Sequence, residues 1–157
     1  MRKVWRIYYF EIFYEQYIRL VAEVIELKKK KMKTYKTHKK TKLLARIRSV
    51  IKDQITKDPM SKDFHLGDFL SSEYRSFKRA KSGLPDRYRL FFRYRSAEGK
   101  IVVIWMNDDF TLKNKGGRKD VYVIFLKMLN SETIPSNWKS LLEKAKIPPE
   151  IERNRIS

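Results

Sequence analysis

The 157-residue chain has no cysteine and only five glycines and five prolines. Without cysteine there is no disulfide, no zinc–thiolate cluster and no cysteine nucleophile. A reducing cytoplasm is compatible with that, and it is the expected setting. No Gly-rich phosphate loop is present. Gly116-Gly117 precede a predicted helix, where a phosphate approach and a plain turn are equally good readings. Histidine is almost absent. His38 and His65 have no second ligand at helical or loop spacing, so no metal site and no cofactor are expected. His38 reads as a solvated loop residue and His65 as a satisfied structural one. Asp108-Asp109 at a strand end has the chemistry for magnesium, but a polar turn is the stronger reading. No apolar run is long enough to span a membrane. Glu11, Glu15 and Glu23 interrupt the N-terminal pattern, so it is not read as a signal peptide.

Acid is the other shortage. Eighteen carboxylates face 37 lysines and arginines, for a net charge of +19. That excess predicts an anionic partner: nucleic acid, an anionic membrane, or an acidic protein. The bland alternative is a solvated basic surface. A membrane-surface protein using the lysine run would need a hydrophobic anchor beside the charge, and none stands there. At 42% hydrophobic and 13% aromatic, the chain has enough apolar mass for one core. The expected organisation is a single domain over 1–147 and a charged, frayed tail over 148–157.

Hydrophobic spacing predicts a strand over Val4–Tyr9, a helix over 11–29 and a second helix over 41–56 stopped by Asp58-Pro59. Between the helices lies a lysine-rich run, 28–42, readable as a helix end or a mobile loop. A short extended piece follows at 64–67. Strands are predicted over 74–81, 87–95 and 100–106, the last two joined as a hairpin through Ser96–Gly99. In 100–106, Ile101, Val103 and Trp105 alternate with Val102, Ile104 and Met106, the pattern of a central strand. Helices over 119–129 and from Pro135-Ser136 onward complete an α+β domain with helices segregated to one side of the sheet.

Residues 87–95 read Arg-Tyr-Arg-Leu-Phe-Phe-Arg-Tyr-Arg. On a strand, Tyr88, Leu90, Phe92 and Tyr94 share one face, and Arg87, Arg89, Phe91, Arg93 and Arg95 the other. Guanidiniums around an aromatic suit phosphates and a stacked base, which predicts an RNA-binding strand. Arg79 and Lys81 share a face of the preceding strand, with Phe77 beside them. Arg118, Lys119 and Tyr122 stand at the start of a helix. Such a set can cleave RNA without metal. The 2′-hydroxyl is the nucleophile, and the protein deprotonates it, neutralises the phosphorane and protonates the leaving oxygen. Lys81, crowded by cations, is the expected base. A phosphate-binding surface without chemistry is the simpler alternative.

In order along nearly the whole chain, the sequence carries Trp5, Tyr8, Phe13, Leu20–Val24, Thr41–Ala45, Asp58-Pro59, Arg87–Tyr94, Trp105–Asp108, Asp120–Tyr122, Lys127–Leu129, Pro135 and Trp138. In these it resembles the YhaV family of bacterial toxins, a branch of the RelE-like ribonuclease toxins. The resemblance implies a RelE-like antiparallel sheet with two N-terminal helices packed on one side, followed by C-terminal helices. It implies an endoribonuclease (an mRNA interferase) that cuts messenger RNA, often on the ribosome, to inhibit translation. It further implies an acidic, AbrB-like (PrlF-type) antitoxin, with operator DNA reached only through that partner. The family's Trp-x-Arg-x-Lys motif falls on Phe77–Lys81. The resemblance thus places the catalytic set on Arg79, Lys81, Arg89 and Tyr122. Arg87, Phe91, Arg93, Arg95, Arg118 and Lys119 are the expected RNA contacts.

Overall fold

A computed structural model describes residues 4–31, 33–66, 72–107 and 118–149, with the side chains of residues 72 and 118–120 outside that description. The chain opens with strand β1 (Arg6–Phe10), which runs directly into helix α1 (Glu11–Lys30). No side chain caps this junction. Instead the Glu11 amide donates to the Lys144 carbonyl at 3.0 Å, which satisfies one orphan donor of the helix start. Phe13, Tyr17, Val21 and Val24 form the buried stripe of α1, at helical spacing. Lys28, Lys29 and Lys30 sit at its C-terminus, where the helix dipole favours cations.

Most of the lysine-rich run belongs to helical elements. A single 3₁₀ turn over Tyr35–Thr37 buries Tyr35 in the core, and α2 (Lys39–Ser49) begins at once. His38 is the cap of α2: its Nδ1 accepts from the Lys40 amide at 3.2 Å. It is thus a structural residue and not the solvated one that its neighbours suggested. Past Ser49 the helix widens into a π turn over Val50–Ile55, with the Thr56 amide bonded to the Ile51 carbonyl. The wider turn lets Val50, Ile51 and Ile55 all reach the core.

Strands β2 (Phe77–Ala80), β3 (Leu90–Arg95) and β4 (Lys100–Met106) pair antiparallel, as the hairpin pattern predicted. Helices α3 (Arg118–Asn130) and α4 (Trp138–Glu143) follow, then a two-residue strand β5 (Ala145–Lys146). The sheet order is β2-β3-β4-β1-β5.

Two expectations about the architecture need correction. The sheet is mixed, because β1 lies parallel to β4. Helices also cover both faces. Phe13, Leu44, Ile47 and Ile55 of the N-terminal helices pack with Leu90, Phe92, Ile101 and Val103 on one face. On the other, Val121, Phe125 and Leu129 of α3 and Leu141 of α4 pack with Phe77, Phe91, Val102 and Ile104. A strand apolar on both sides needs a layer on each side, and β4 is such a strand. Its simple alternation also fails at one point. The register shifts opposite Phe91 and Phe92, so that Ile104 is the extra residue of a bulge. Trp105 therefore joins Ile104 on the α3 side, and Met106 turns to the α1 side.

Candidate active site

The arginine stretch is shorter as a strand than its alternation suggested. β3 starts only at Leu90. Pro85 to Tyr88 form a turn closed by the Tyr88 amide on the Pro85 carbonyl at 3.1 Å. Arg87 occupies the third position of that turn with φ of 72°, a left-handed conformation that normally favours glycine or asparagine. Asn107, at 1% exposure, holds the segment down. Its Oδ1 accepts from the Arg89 amide at 2.7 Å and its Nδ2 donates to the Arg87 carbonyl at 2.9 Å. Gln16 of α1 grips the neighbouring Met106 through both backbone groups, at 2.6 and 3.1 Å. Neither amide was singled out from sequence as part of the site. The turn chemistry of Leu84-Pro85-Asp86 was the signal available.

Arg79 is the best-fixed cation. It lies on β2, 9% exposed. Its Nε donates to the Tyr122 hydroxyl of α3 at 2.9 Å, and its Nη1 to the Asp63 carbonyl at 3.0 Å. Two donors of a rigid fork are thereby set by two different elements, which fixes the plane of the guanidinium. Tyr122 is 4% exposed and packs edge-on to Phe91, so its ring belongs to the core while its hydroxyl positions Arg79.

Arg79 opens on a cleft of about 720 Å³. The end of the α2 extension contributes Asp53, Gln54 and Lys57 to it. The following loop contributes Asp58 and Ser61 to His65, and the end of β2 gives Arg79, Lys81 and Ser82. The cleft mixes charges: Lys57, Lys62, Arg79 and Lys81 against Asp53, Asp58 and Asp63. His65 stands exposed on its wall, and its imidazole has no hydrogen-bond partner among the described residues. It is not the satisfied structural histidine that the sequence suggested.

Lys81 and Arg89 are the next residues beyond the last β2–β3 pair, Ala80 with Leu90. Arg79, Lys81 and Arg89 therefore gather at one end of that ladder. Arg89 is 9% exposed. Its Nη1 donates to the Tyr88 carbonyl at 2.8 Å, but its Nε is buried with no acceptor. A buried donor left unpaired is costly, which makes Arg89 a locally unfavourable contact of the fold as well as a cation at the ladder end.

The other candidates are not at this end. Phe91 is fully buried, stacked at 4.1 Å on Phe125 and tilted against Trp105, so it is a core side chain and not a platform for a base. Arg93 lies over Phe77 and Trp138 and donates to the Ser136 carbonyl at 2.6 Å. Burial, and then Arg95, lower its pKa. Arg95 is at the hairpin end, paired with Glu98 at 3.4 Å. Arg87 is exposed on its turn. Arg118 and Lys119 open α3 one turn before Tyr122, but their side chains lie outside the described residues, as do Asp108-Asp109 and Gly116-Gly117 altogether. Among the described residues no three His, Asp or Glu side chains come together as a metal site, and no helix is long and apolar enough to cross a membrane.

A family model described as a toxin with endonuclease activity, of a toxin–antitoxin system, matches residues 7–146. The chain belongs to the YhaV toxin family. It is 41% identical over 141 residues to Toxin YhaV of Escherichia coli O6:H1, covering 89% of this chain and 91% of that one. It is 41% identical over 138 residues to Ribonuclease toxin YhaV of Escherichia coli K12, covering 87% and 89%. No solved structure matches. As a YhaV-family member the chain is a toxin with endonuclease activity, which implies an antitoxin as its partner.

Proposed function

We propose that this chain is a metal-independent endoribonuclease that cuts messenger RNA, on or off the ribosome, and is silenced by an acidic AbrB-like antitoxin. The observation that carries the reading is Arg79, buried and held by Tyr122 and Asp63 on the wall of a cleft that also takes Lys81 and His65. The relative in Escherichia coli K12 named a ribonuclease toxin supports RNA as the substrate. A sheet whose N-terminal face carries a two-helix hairpin suits the RelE-like architecture.

In this reading the 2′-hydroxyl oxygen attacks phosphorus and the bond to the 5′ oxygen breaks. Lys81 takes the 2′ proton. His65, in the same cleft, delivers a proton to the 5′ oxygen. Arg79, with the nearby positive charge of Arg89, neutralises the charge that builds on the phosphorane oxygens, where a fixed donor contributes most. The products are a 2′,3′-cyclic phosphate and a 5′-hydroxyl. A +19 chain calls for an acidic antitoxin that covers the basic face.

The experiment is cleavage of naked RNA, and of ribosome-bound message, with end groups mapped, in EDTA and in magnesium. Cleavage that survives EDTA on naked RNA supports the reading. Loss with chelator, restored by magnesium, refutes metal independence and moves attention to Asp108-Asp109. His65→Gln should lower kcat for RNA cleavage and leave RNA binding unchanged. A protein that binds RNA and never cuts it, on or off the ribosome, is the non-catalytic binding module instead.

A further inference from the structure

The cleft uses few of the chain's cations. Residues 28–42 hold nine lysines, and no carboxylate occurs between Glu26 and Asp53. This run is folded: Tyr35 is buried at 7% exposure, Lys28 lies 5.8 Å over its ring, and Lys40 pairs with Glu23 across the two helices. Lys29, Lys31, Lys33, Lys36, Lys39 and Lys42 are all exposed, and none pairs with a carboxylate among the described residues. Six like charges spread over the end of α1, the connection and the first turn of α2 repel one another, so the surface is at its best with an anion against it.

Its distance from the cleft sets what the anion must be. Lys39 begins α2 and Lys57 lines the cleft at the far end of the same helix and its π extension. At helical rise the two are roughly 25 Å apart. Nucleotides stacked at about 3.4 Å need about seven steps to cover that span. Compact lysine point charges on flexible stems suit phosphates along a backbone and carry no base preference.

We propose that the tip of the α1–α2 hairpin is a second RNA-docking surface, which grips the phosphate backbone of the substrate outside the segment that is cut. The inference rests on the reading of the chain as a ribonuclease but concerns a different surface. It predicts that short and long substrates depend on different residues.

The test uses a Lys29→Gln, Lys33→Gln, Lys36→Gln, Lys39→Gln variant, with the four Lys→Arg changes as the charge-keeping control. Binding to an RNA of about thirty nucleotides is measured against salt, and cleavage is measured on a trinucleotide. The log–log salt slope of the glutamine variant should fall by about three, at about 0.7 per lost phosphate contact, and affinity should fall at least tenfold. Trinucleotide cleavage should be unaltered, and the arginine control should bind like the parent. An unchanged slope overturns the proposal. So does an unchanged slope with weakened antitoxin binding, which would make the tip a protein-docking surface. Trinucleotide cleavage that falls in step with long-RNA affinity overturns it too, since tip and cleft would then be one site. A slope that falls in a protein that cuts neither RNA sinks the ribonuclease reading and leaves the docking surface standing.

Discussion

At one end of the β2–β3 ladder Arg79 is held by a tyrosine hydroxyl and a backbone carbonyl on the wall of a cleft. At the other end of the same sheet face Arg93 is sandwiched by Phe77 and Trp138 and bonded to the Ser136 carbonyl. Both are arginines on paired strands and both lie on the sheet face that carries α3 and α4, Arg79 buried and Arg93 half-buried. What separates them is what lies past the guanidinium: a cleft with Lys81 and His65 in one case, the α3–α4 connection in the other. An arginine's place on a strand therefore does not reveal its work.

The comparison breaks or holds on two substitutions. Arg79→Ala should lower cleavage by on the order of a hundredfold or more, because a donor fixed toward a developing dianion is lost, while the circular dichroism spectrum stays native. RNA affinity should fall far less, since many other cations contribute to it. Arg93→Leu should do the reverse. Cleavage should stay within about threefold, and urea unfolding should register a loss of about 0.5–1 kcal/mol from the lost ring contacts, since water can replace the donor at the exposed Ser136 carbonyl. If Arg93→Leu is inactive and Arg79→Ala cuts at the parent rate, the two ends have been assigned the wrong way round.

A smaller effect tests what holds Arg79. Tyr122→Phe keeps the ring that packs on Phe91 and removes the hydroxyl that accepts the Arg79 Nε bond. Cleavage should fall by about tenfold, in kcat more than in KM, with about 1 kcal/mol lost in stability. A change in stability alone would make Tyr122 a core residue with no part in the reaction.

These contrasts mark what the sequence could and could not carry. The period-2 pattern of Leu90, Phe92 and Tyr94 and the period of α1 both reached the structure, because burial on one face dictates them. Antiparallel pairing and its register put Lys81 and Arg89 beside Arg79 at one ladder end, while Arg93, on the same face by alternation, falls at the other. The burial of Phe91 was not legible. Its face looked polar because arginines flank it, and only the docking of α3, a tertiary fact, turns it into core. The parallel pairing of β1 with β4 joins residues almost a hundred positions apart, and no local pattern encodes such a contact. His65 was passed over because a lone histidine carries no spacing signal. The cleft around it is made by three separated segments.

The turn before β3 gives a third, milder contrast. Arg87 holds a left-handed φ of 72° that costs a side-chain-bearing residue about 1 kcal/mol. Arg87→Gly should relieve that strain, offset in part by the freer unfolded chain, and unfolding should move to higher urea by up to about 1 kcal/mol. RNA affinity should drop about threefold, as one phosphate contact is lost. A stabilised variant with parent affinity would remove Arg87 from the RNA surface.

The smallest expected effect concerns a lysine one residue from Arg79 on the opposite face of the same strand. Lys78 is half-buried, and its Nζ donates to the Arg75 carbonyl at 3.0 Å. Burial, and then the charge of Arg75, lower its pKa below the ordinary 10.5. The sign follows from proton counting. Between the folded and unfolded values the unfolded chain binds more protons, so stability rises with pH there; below both, the full penalty of holding the ammonium applies. Lys78→Met removes a penalty and not a support. It should raise stability at pH 7, by no more than about 0.5 kcal/mol because solvent screens so open a charge. The gap between variant and parent should close as pH climbs toward 10.5, where the parent ammonium is lost in the unfolded chain as well. Urea titrations at pH 7 and pH 10 read both. A variant less stable than the parent at pH 7, or a gap that widens with pH, would mean that the Arg75 carbonyl bond outweighs the cost of burying the charge.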